Sequence, residues 1–99
     1  MTDDTSENLR AKINLETSRI AWSELQRFFA AGTAVYVAAS LDLIEVATRI
    51  ADDDKAQVER WMRQGLLGQV SDEQARTWFD GDAELWAVVV KPWVLVQPI

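Results

Sequence analysis

The chain has 99 residues, of which 48% are hydrophobic and 26% are charged, and this balance is typical of one globular domain. It contains no cysteine and no histidine, which excludes disulfides and removes the commonest general base and transition-metal ligand. The formal net charge of −6 disfavours binding to nucleic acids and to anionic membranes.

The amino-terminal end is polar and acidic. We expect residues 1–5 to form a disordered acidic tail and residues 6–99 to form a single domain. The end lacks the basic and then apolar plan of a signal peptide, and no apolar run approaches the roughly 18 residues of a membrane span. We therefore expect a cytoplasmic protein that does not contact a membrane.

Two helices are predicted ahead of the first strand. The first covers residues 6–16, and a connection over residues 17–21 follows it. The second begins at a capping box over residues 23–26, in which serine precedes glutamine by three positions. Gly32 is suited to end this helix, and the apolar residues after it predict a strand over residues 33–39.

Two further helices and a short strand are predicted in the middle of the chain. Asp42 is placed to cap the third helix and Asp54 to cap the fourth, which ends at Gly65. A short strand is predicted over residues 66–70. The inward face of the fourth helix is predicted to carry Val58, Trp61 and Met62.

The last helix leads into the most apolar segment of the chain. Ser71 and Gln74 form a further capping box, and residues 80–82 give a turn signal. Residues 84–96 are rich in β-branched and aromatic side chains, which favour strand. Residues 88–90 do not alternate with polar ones, so both faces of this strand are predicted to be covered.

Lys91 and Pro92 interrupt this segment, and two interpretations are open. The chain either kinks at Pro92 and continues as one strand, or turns there and returns. A turn would place the proline where a cis peptide bond is required, and only about 5–6% of X–Pro bonds in folded proteins are cis. We therefore expect a kinked, continuing strand.

The predicted order of elements is ααβααβαβ, with a possible further strand at the end. Helices and strands in this mixed order indicate an α+β domain. We predict one small mixed sheet covered by about four to five helices.

Several segments resemble a family of small uncharacterised bacterial proteins, the domain-of-unknown-function family number 2288. The resemblance rests on residues 9–17, 22–26, 41–47, 85–90 and 92–96. It spans residues 7–97 and implies a free-standing bacterial cytoplasmic protein. The family has no established activity, so the resemblance transfers no catalytic residue.

Asp52, Asp53 and Asp54 form the densest acidic cluster. Carboxylates suit Mg²⁺ or Ca²⁺, but three consecutive side chains point in different directions and the ligand spacing of an EF-hand is absent. Acidic residues also end one helix and cap the next. We favour the capping role and predict no metal site.

Asp80, Asp82 and Glu84 alternate, so their carboxylates are candidates for acid–base work. They lie in a predicted turn beside Gly81, and we interpret them as a solvated turn.

Tryptophans flanked by arginine, as Trp61 is, can stack on bases or sugars. We favour core packing for Trp61 and Trp78, because both lie on inward helical faces.

The predicted function is a non-enzymatic protein-interaction module or homo-oligomer, without cofactor or nucleic acid. We expect the end of the chain to lie at a sheet edge, where a protein partner or second copy covers it. The alternative is a regulatory domain that binds a small molecule between helices and sheet. The residues of the predicted interface are Trp93, Val94, Leu95 and Val96.

Overall fold

Helices and strands alternate along most of the chain. The computed structural model describes the backbone of residues 2–99 and the side chains from residue 8 onward. The helices are α1 (Thr2–Glu16), α2 (Trp22–Ala30), α3 (Leu43–Ala51), α4 (Lys55–Arg63) and α5 (Asp72–Asp80). The strands are β1 (Ser18–Ala21), β2 (Ala34–Val37), β3 (Leu67–Gln69), β4 (Glu84–Val90) and β5 (Trp93–Pro98).

Helix α1 begins earlier than the sequence predicted, at Thr2 rather than near residue 6. The structure does not describe Met1 or the side chains of residues 2–7. The disordered acidic tail predicted for residues 1–5 is therefore still a prediction. None of the helices within residues 2–99 combines the length and apolarity that crossing a bilayer requires.

The five strands form one mixed sheet in the order β1-β4-β5-β2-β3. Strand β5 runs parallel to β2, and the other neighbouring pairs are antiparallel. Helices α1, α3 and α4 cover one face of the sheet, and α2 and α5 cover the other. The predicted α+β class with a small mixed sheet is confirmed.

The predicted kink at Pro92 is wrong, and the chain turns there. Strands β4 and β5 form an antiparallel hairpin in which Val90 pairs with Trp93 and Trp86 pairs with Gln97. The peptide bond between Lys91 and Pro92 is cis. The hairpin lets both apolar strands pair with each other inside the sheet, where their backbone groups are satisfied.

The predicted edge position of the last strand is also wrong. Strand β5 lies between β4 and β2, so it is a central strand of the sheet. Val94, Leu95 and Val96 are 4%, 0% and 0% exposed, and of the predicted interface only Trp93 reaches the surface. The helices cover both faces of β5.

Residues 17–21 contain a strand, where the sequence predicted a connection. Strand β1 pairs with β4, with Ile20 opposite Leu85, and forms one edge of the sheet.

The predicted capping box at Ser23 is wrong as well. Helix α2 begins at Trp22 with Ala21 as its N-cap residue, and the backbone N–H of Trp22 donates to the carbonyl of Ala83 over 2.8 Å.

Two apolar cores lie on opposite faces of the sheet. Along β5, Leu95 packs into the core under α1, α3 and α4, while Val94 and Val96 pack into the core under α2 and α5. Strand β4 alternates in the same way, with Val88 in the first core and Ala87 in the second. The coverage of both faces predicted for residues 88–90 is confirmed only in part, because Val88 and Val90 are buried in the first core while Val89 is 49% exposed.

Three of the predicted helix caps are present. A side-chain oxygen of Asp42 accepts from the N–H groups of Ile44 and Glu45. Ser71 and Gln74 form a reciprocal capping box at the start of α5. Asp54 caps α4 and thereby fixes where this helix begins.

Candidate functional site

The acidic cluster at residues 52–54 separates α3 from α4. Asp54 Oδ1 accepts from the N–H of Gln57 at 3.3 Å, and Oδ2 accepts from Arg49 at 3.4 Å. Asp53 adopts a left-handed backbone conformation, with φ of 59°, which reverses the chain. The capping interpretation is confirmed for Asp54. Within the described residues, no group of three or more acidic side chains is arranged to hold a metal ion.

The acidic residues of the next candidate set lie in three different parts of the chain. Asp80 ends α5, Asp82 lies in the turn with φ of 48°, and Glu84 lies in β4. All three are exposed, and Glu84 pairs with Arg19 at 3.4 Å. These residues form the solvated turn that the sequence predicted.

Two tryptophans weighed as stacking platforms pack inside the protein. Trp61 is 9% exposed and belongs to the core under α1, α3 and α4. Trp78 packs edge-on against Trp22 in the other core, with ring centroids 5.1 Å apart. Core packing is confirmed for both. Trp86 and Trp93 are 36% and 37% exposed.

A concave groove lies between α4 and the sheet. It has a volume of about 640 Å³ and lies against β2 and β3. We call it the α4 groove. Its apolar lining consists of Val35, Ile50, Val58, Met62, Leu67 and Trp93.

Helix α4 forms one wall of this groove and is held to the sheet by a buried tryptophan. Trp61 packs into the core from one side of the helix. Val58 and Met62 lie four residues apart, share another side of the helix, and line the groove. The inward position predicted for Met62 is wrong, because this side chain is 54% exposed. The groove therefore presents a flexible thioether at its wall.

The polar rim of the groove comes from both of its walls. Asp53, Asp54 and Lys55 line it at the start of α4, and Gln69 lines it from the end of β3. The side-chain nitrogen of Gln69 donates to the carbonyl of Gly32 over 3.5 Å. The rim thus combines charged groups and an amide, while the walls are apolar.

One of the rim carboxylates belongs to a chain of ion pairs. Arg49 contacts both Asp54 at 3.4 Å and Glu45 at 3.2 Å, and Glu45 also contacts Arg10 of α1 at 3.0 Å. The hydrogen bond from Arg10, aided by Arg49, lowers the pKa of Glu45 below its ordinary value against the opposing effect of burial. These contacts connect α1, α3 and the start of α4.

Asp53 and Lys55 differ from Asp54. Among the residues whose side chains are described, neither takes part in a side-chain hydrogen bond or an ion pair. Both are exposed and both line the groove. The rim therefore offers one free carboxylate and one free ammonium to a bound molecule.

A pocket between helices and sheet was predicted from the sequence as an alternative, but its residues were not predicted. The spacing of Val58 and Met62 placed them on the apolar side of α4, which is as far as periodicity reaches. The groove also needs Trp93, which reaches it only because the chain turns at Pro92 and brings β5 beside β2.

Comparisons with known proteins agree with the fold. The NMR solution structure of PA1075 from Pseudomonas aeruginosa is similar, with a TM-score of 0.80 and 47% identity over 91% of this chain and 83% of that chain. No curated protein matches the chain. The family described as "Protein of unknown function (DUF2288)" matches residues 8–98, which confirms the resemblance seen in the sequence. The chain therefore belongs to the DUF2288 family of proteins of unknown function.

Proposed function

We propose that this protein is a non-enzymatic binding domain that takes a small molecule with an apolar body into the α4 groove. The observation that carries the proposal is the apolar lining of a concavity of about 640 Å³. Sites for small ligands are concave, mostly apolar, and typically about 300–1,000 Å³ in volume. Met62 and Trp93 are partly exposed there, and a ligand would remove their apolar surface from water.

The distribution of polar groups supports binding without turnover. Catalysis needs a nucleophile or a general acid or base positioned against the reacting atoms. In the α4 groove the walls are apolar side chains, and the charged residues Asp53, Asp54 and Lys55 lie at the rim. This arrangement suits recognition of a head group, and the proposal includes no cofactor and no nucleic acid.

A second candidate function is association with a protein partner or a second copy. The supporting observation is that β3, a strand of three residues, forms an edge of the sheet directly beside the groove. An edge strand presents unpaired backbone groups that can pair with another chain. Light scattering from micromolar to millimolar protein tests this candidate, and a monomer throughout contradicts self-association.

A neutral fluorescent probe tests the groove. N-phenyl-1-naphthylamine is expected to bind saturably with a blue-shifted emission, because its rings would leave water for the apolar walls. Met62→Lys places a charged group at the groove wall and is expected to weaken binding about tenfold, or about 1.4 kcal/mol. Amide-resolved NMR is expected to place the largest shifts on α4, β2 and β3.

Phe79→Lys is the matched control. Phe79 is also an exposed apolar residue of a helix, 59% exposed compared with 54% for Met62, but it does not line the groove. Probe binding to this variant should equal that of the wild type. The proposal fails if the probe does not bind, or if Met62→Lys leaves its affinity unchanged.

A further inference from the structure

We propose that the ligand of the α4 groove is a zwitterionic amphiphile, with an elongated apolar tail and a head that carries both charges. This inference rests on the proposed binding function and deepens it. Its basis is the pairing of an apolar lining with two free, opposite charges, Asp53 and Lys55, which line the groove at the start of α4.

The other charges of the rim are already engaged. Asp54 accepts from the Gln57 amide and from Arg49, and Arg49 is shared with Glu45. A bound head group would therefore meet Asp53 and Lys55 as the groups with unused capacity among the described residues. Their charges cancel, so a head with only one charge gains one attraction and meets one repulsion.

The surroundings favour each half of such a head. The amino end of α4 lies at the rim beside Lys55, and the positive end of a helix dipole favours an anionic group. Trp93 lines the groove and offers a partly exposed aromatic ring, which attracts quaternary ammonium groups. Asp53 supplies the carboxylate for the same cation.

The apolar walls explain why an amphiphile suits the groove better than a free zwitterion. Val58 and Met62 lie one turn apart on α4, and Leu67 lines the groove from β3. Each CH₂ group transferred from water to such walls gives about the same favourable increment, so a longer tail should bind more tightly. The head then decides which amphiphile binds best.

Four probes with the same ten-carbon tail test the inference below their micelle concentrations, by displacement of N-phenyl-1-naphthylamine. They are decylphosphocholine, decyltrimethylammonium, undecanoate and decyl maltoside. Decylphosphocholine is expected to bind about fivefold more tightly than each of the others, the size of effect that two exposed ion pairs supply.

Two variants, each of which removes one of the two free rim charges, test the contribution of that charge to head-group selectivity. Asp53→Asn keeps the left-handed backbone, because asparagine tolerates positive φ, and it is expected to move undecanoate ahead of decyltrimethylammonium. Lys55→Gln is expected to give the opposite order. Asp52→Asn is the matched control, since Asp52 lies in the same turn but does not line the groove, and its probe order should equal that of the wild type.

The outcomes separate this inference from the binding function. If the neutral dye binds and all four probes displace it equally, the groove binds apolar molecules but the zwitterion inference is wrong. An order of heads that is the same in wild type, Asp53→Asn and Lys55→Gln also overturns the inference. If the dye itself does not bind, the proposed function and this inference both fail.

Discussion

The side-chain nitrogen of Gln97 donates a hydrogen bond to the backbone carbonyl of Leu41 over 2.7 Å. The same nitrogen donates to the carbonyl of Ala38 over 2.9 Å, so one amide holds the loop between β2 and α3. Gln97 is 8% exposed, and Thr48 is the other polar residue buried to this extent among the described side chains. The carboxyl end of β5 is thereby tied to the start of α3.

Replacing Gln97 tests the importance of this connection. Gln97→Met keeps the length of the side chain but removes the donor, which leaves two carbonyls without this partner. Loss of a partner for a buried polar group costs about 1–3 kcal/mol, so we expect the free energy of unfolding in urea to fall by that amount. Gln69→Met is the control, because its single bond of 3.5 Å is exposed, and it should change stability by less than about 0.5 kcal/mol. Equal effects of the two substitutions would contradict the role of Gln97.

The two serines that the sequence assigned to capping boxes give a second prediction. Ser71→Ala removes the side-chain acceptor at the start of α5 and should lower the free energy of unfolding by about 1 kcal/mol. Ser23→Ala should change it by less than about 0.5 kcal/mol, because α2 begins at Trp22 and has no side-chain cap. Chemical denaturation of both variants checks the difference. A larger loss for Ser23→Ala would show that α2 is capped after all.

The error at Ser23 shows what local sequence patterns leave out. The serine and glutamine spacing is the same at residues 23–26 and 71–74, yet only the second box forms. The first is overridden by tertiary structure, because β1 pairs with β4 and carries the chain directly into the helix at Trp22. Strand β1 was missed for a related reason, since its four residues carry too little apolar pattern to indicate a strand.

The α+β class followed from the sequence because each longer element carries its own periodicity and end signals. The order of strands did not, since it depends on which apolar runs pair with one another. Lys91 and Pro92 were the decisive point: a turn there makes β5 central, whereas a kink would have left Trp93 at an edge. The α4 groove depends on the same turn and was therefore beyond sequence reasoning.

The pH dependence of stability gives a third prediction, centred on Glu45. Arg10 and Arg49 lower the pKa of this carboxyl in the folded protein. A lowered folded pKa means that the ionised form contributes stability above the unfolded value of about 4.3, and that this contribution is lost as pH falls through the folded pKa. The pairs are partly exposed, so we expect a contribution below about 1 kcal/mol.

Glu45→Gln should therefore be less stable than the wild type at neutral pH and should approach it as the pH falls below about 4. Urea unfolding of both proteins across this range measures the difference. Glu24→Gln, which also changes a glutamate in the first turn of a helix, is the control, because Glu24 forms no ion pair among the described residues, and it should stay within about 0.5 kcal/mol of the wild type at neutral pH. A difference that stays constant with pH would contradict the role of Glu45.

The last prediction concerns two cross-strand partners in the hairpin, Val89 of β4 and Val94 of β5. Val94 is 4% exposed and belongs to the core under α2 and α5, whereas Val89 is 49% exposed. Val94→Lys would bury an unpaired charge, so we expect the protein to lose at least about 3 kcal/mol of stability or fail to fold. Val89→Lys places the same charge in water and should stay within about 1 kcal/mol of the wild type. Circular dichroism and urea unfolding compare the two. A folded and stable Val94→Lys protein would contradict the central position of β5 and restore the edge position that the sequence suggested.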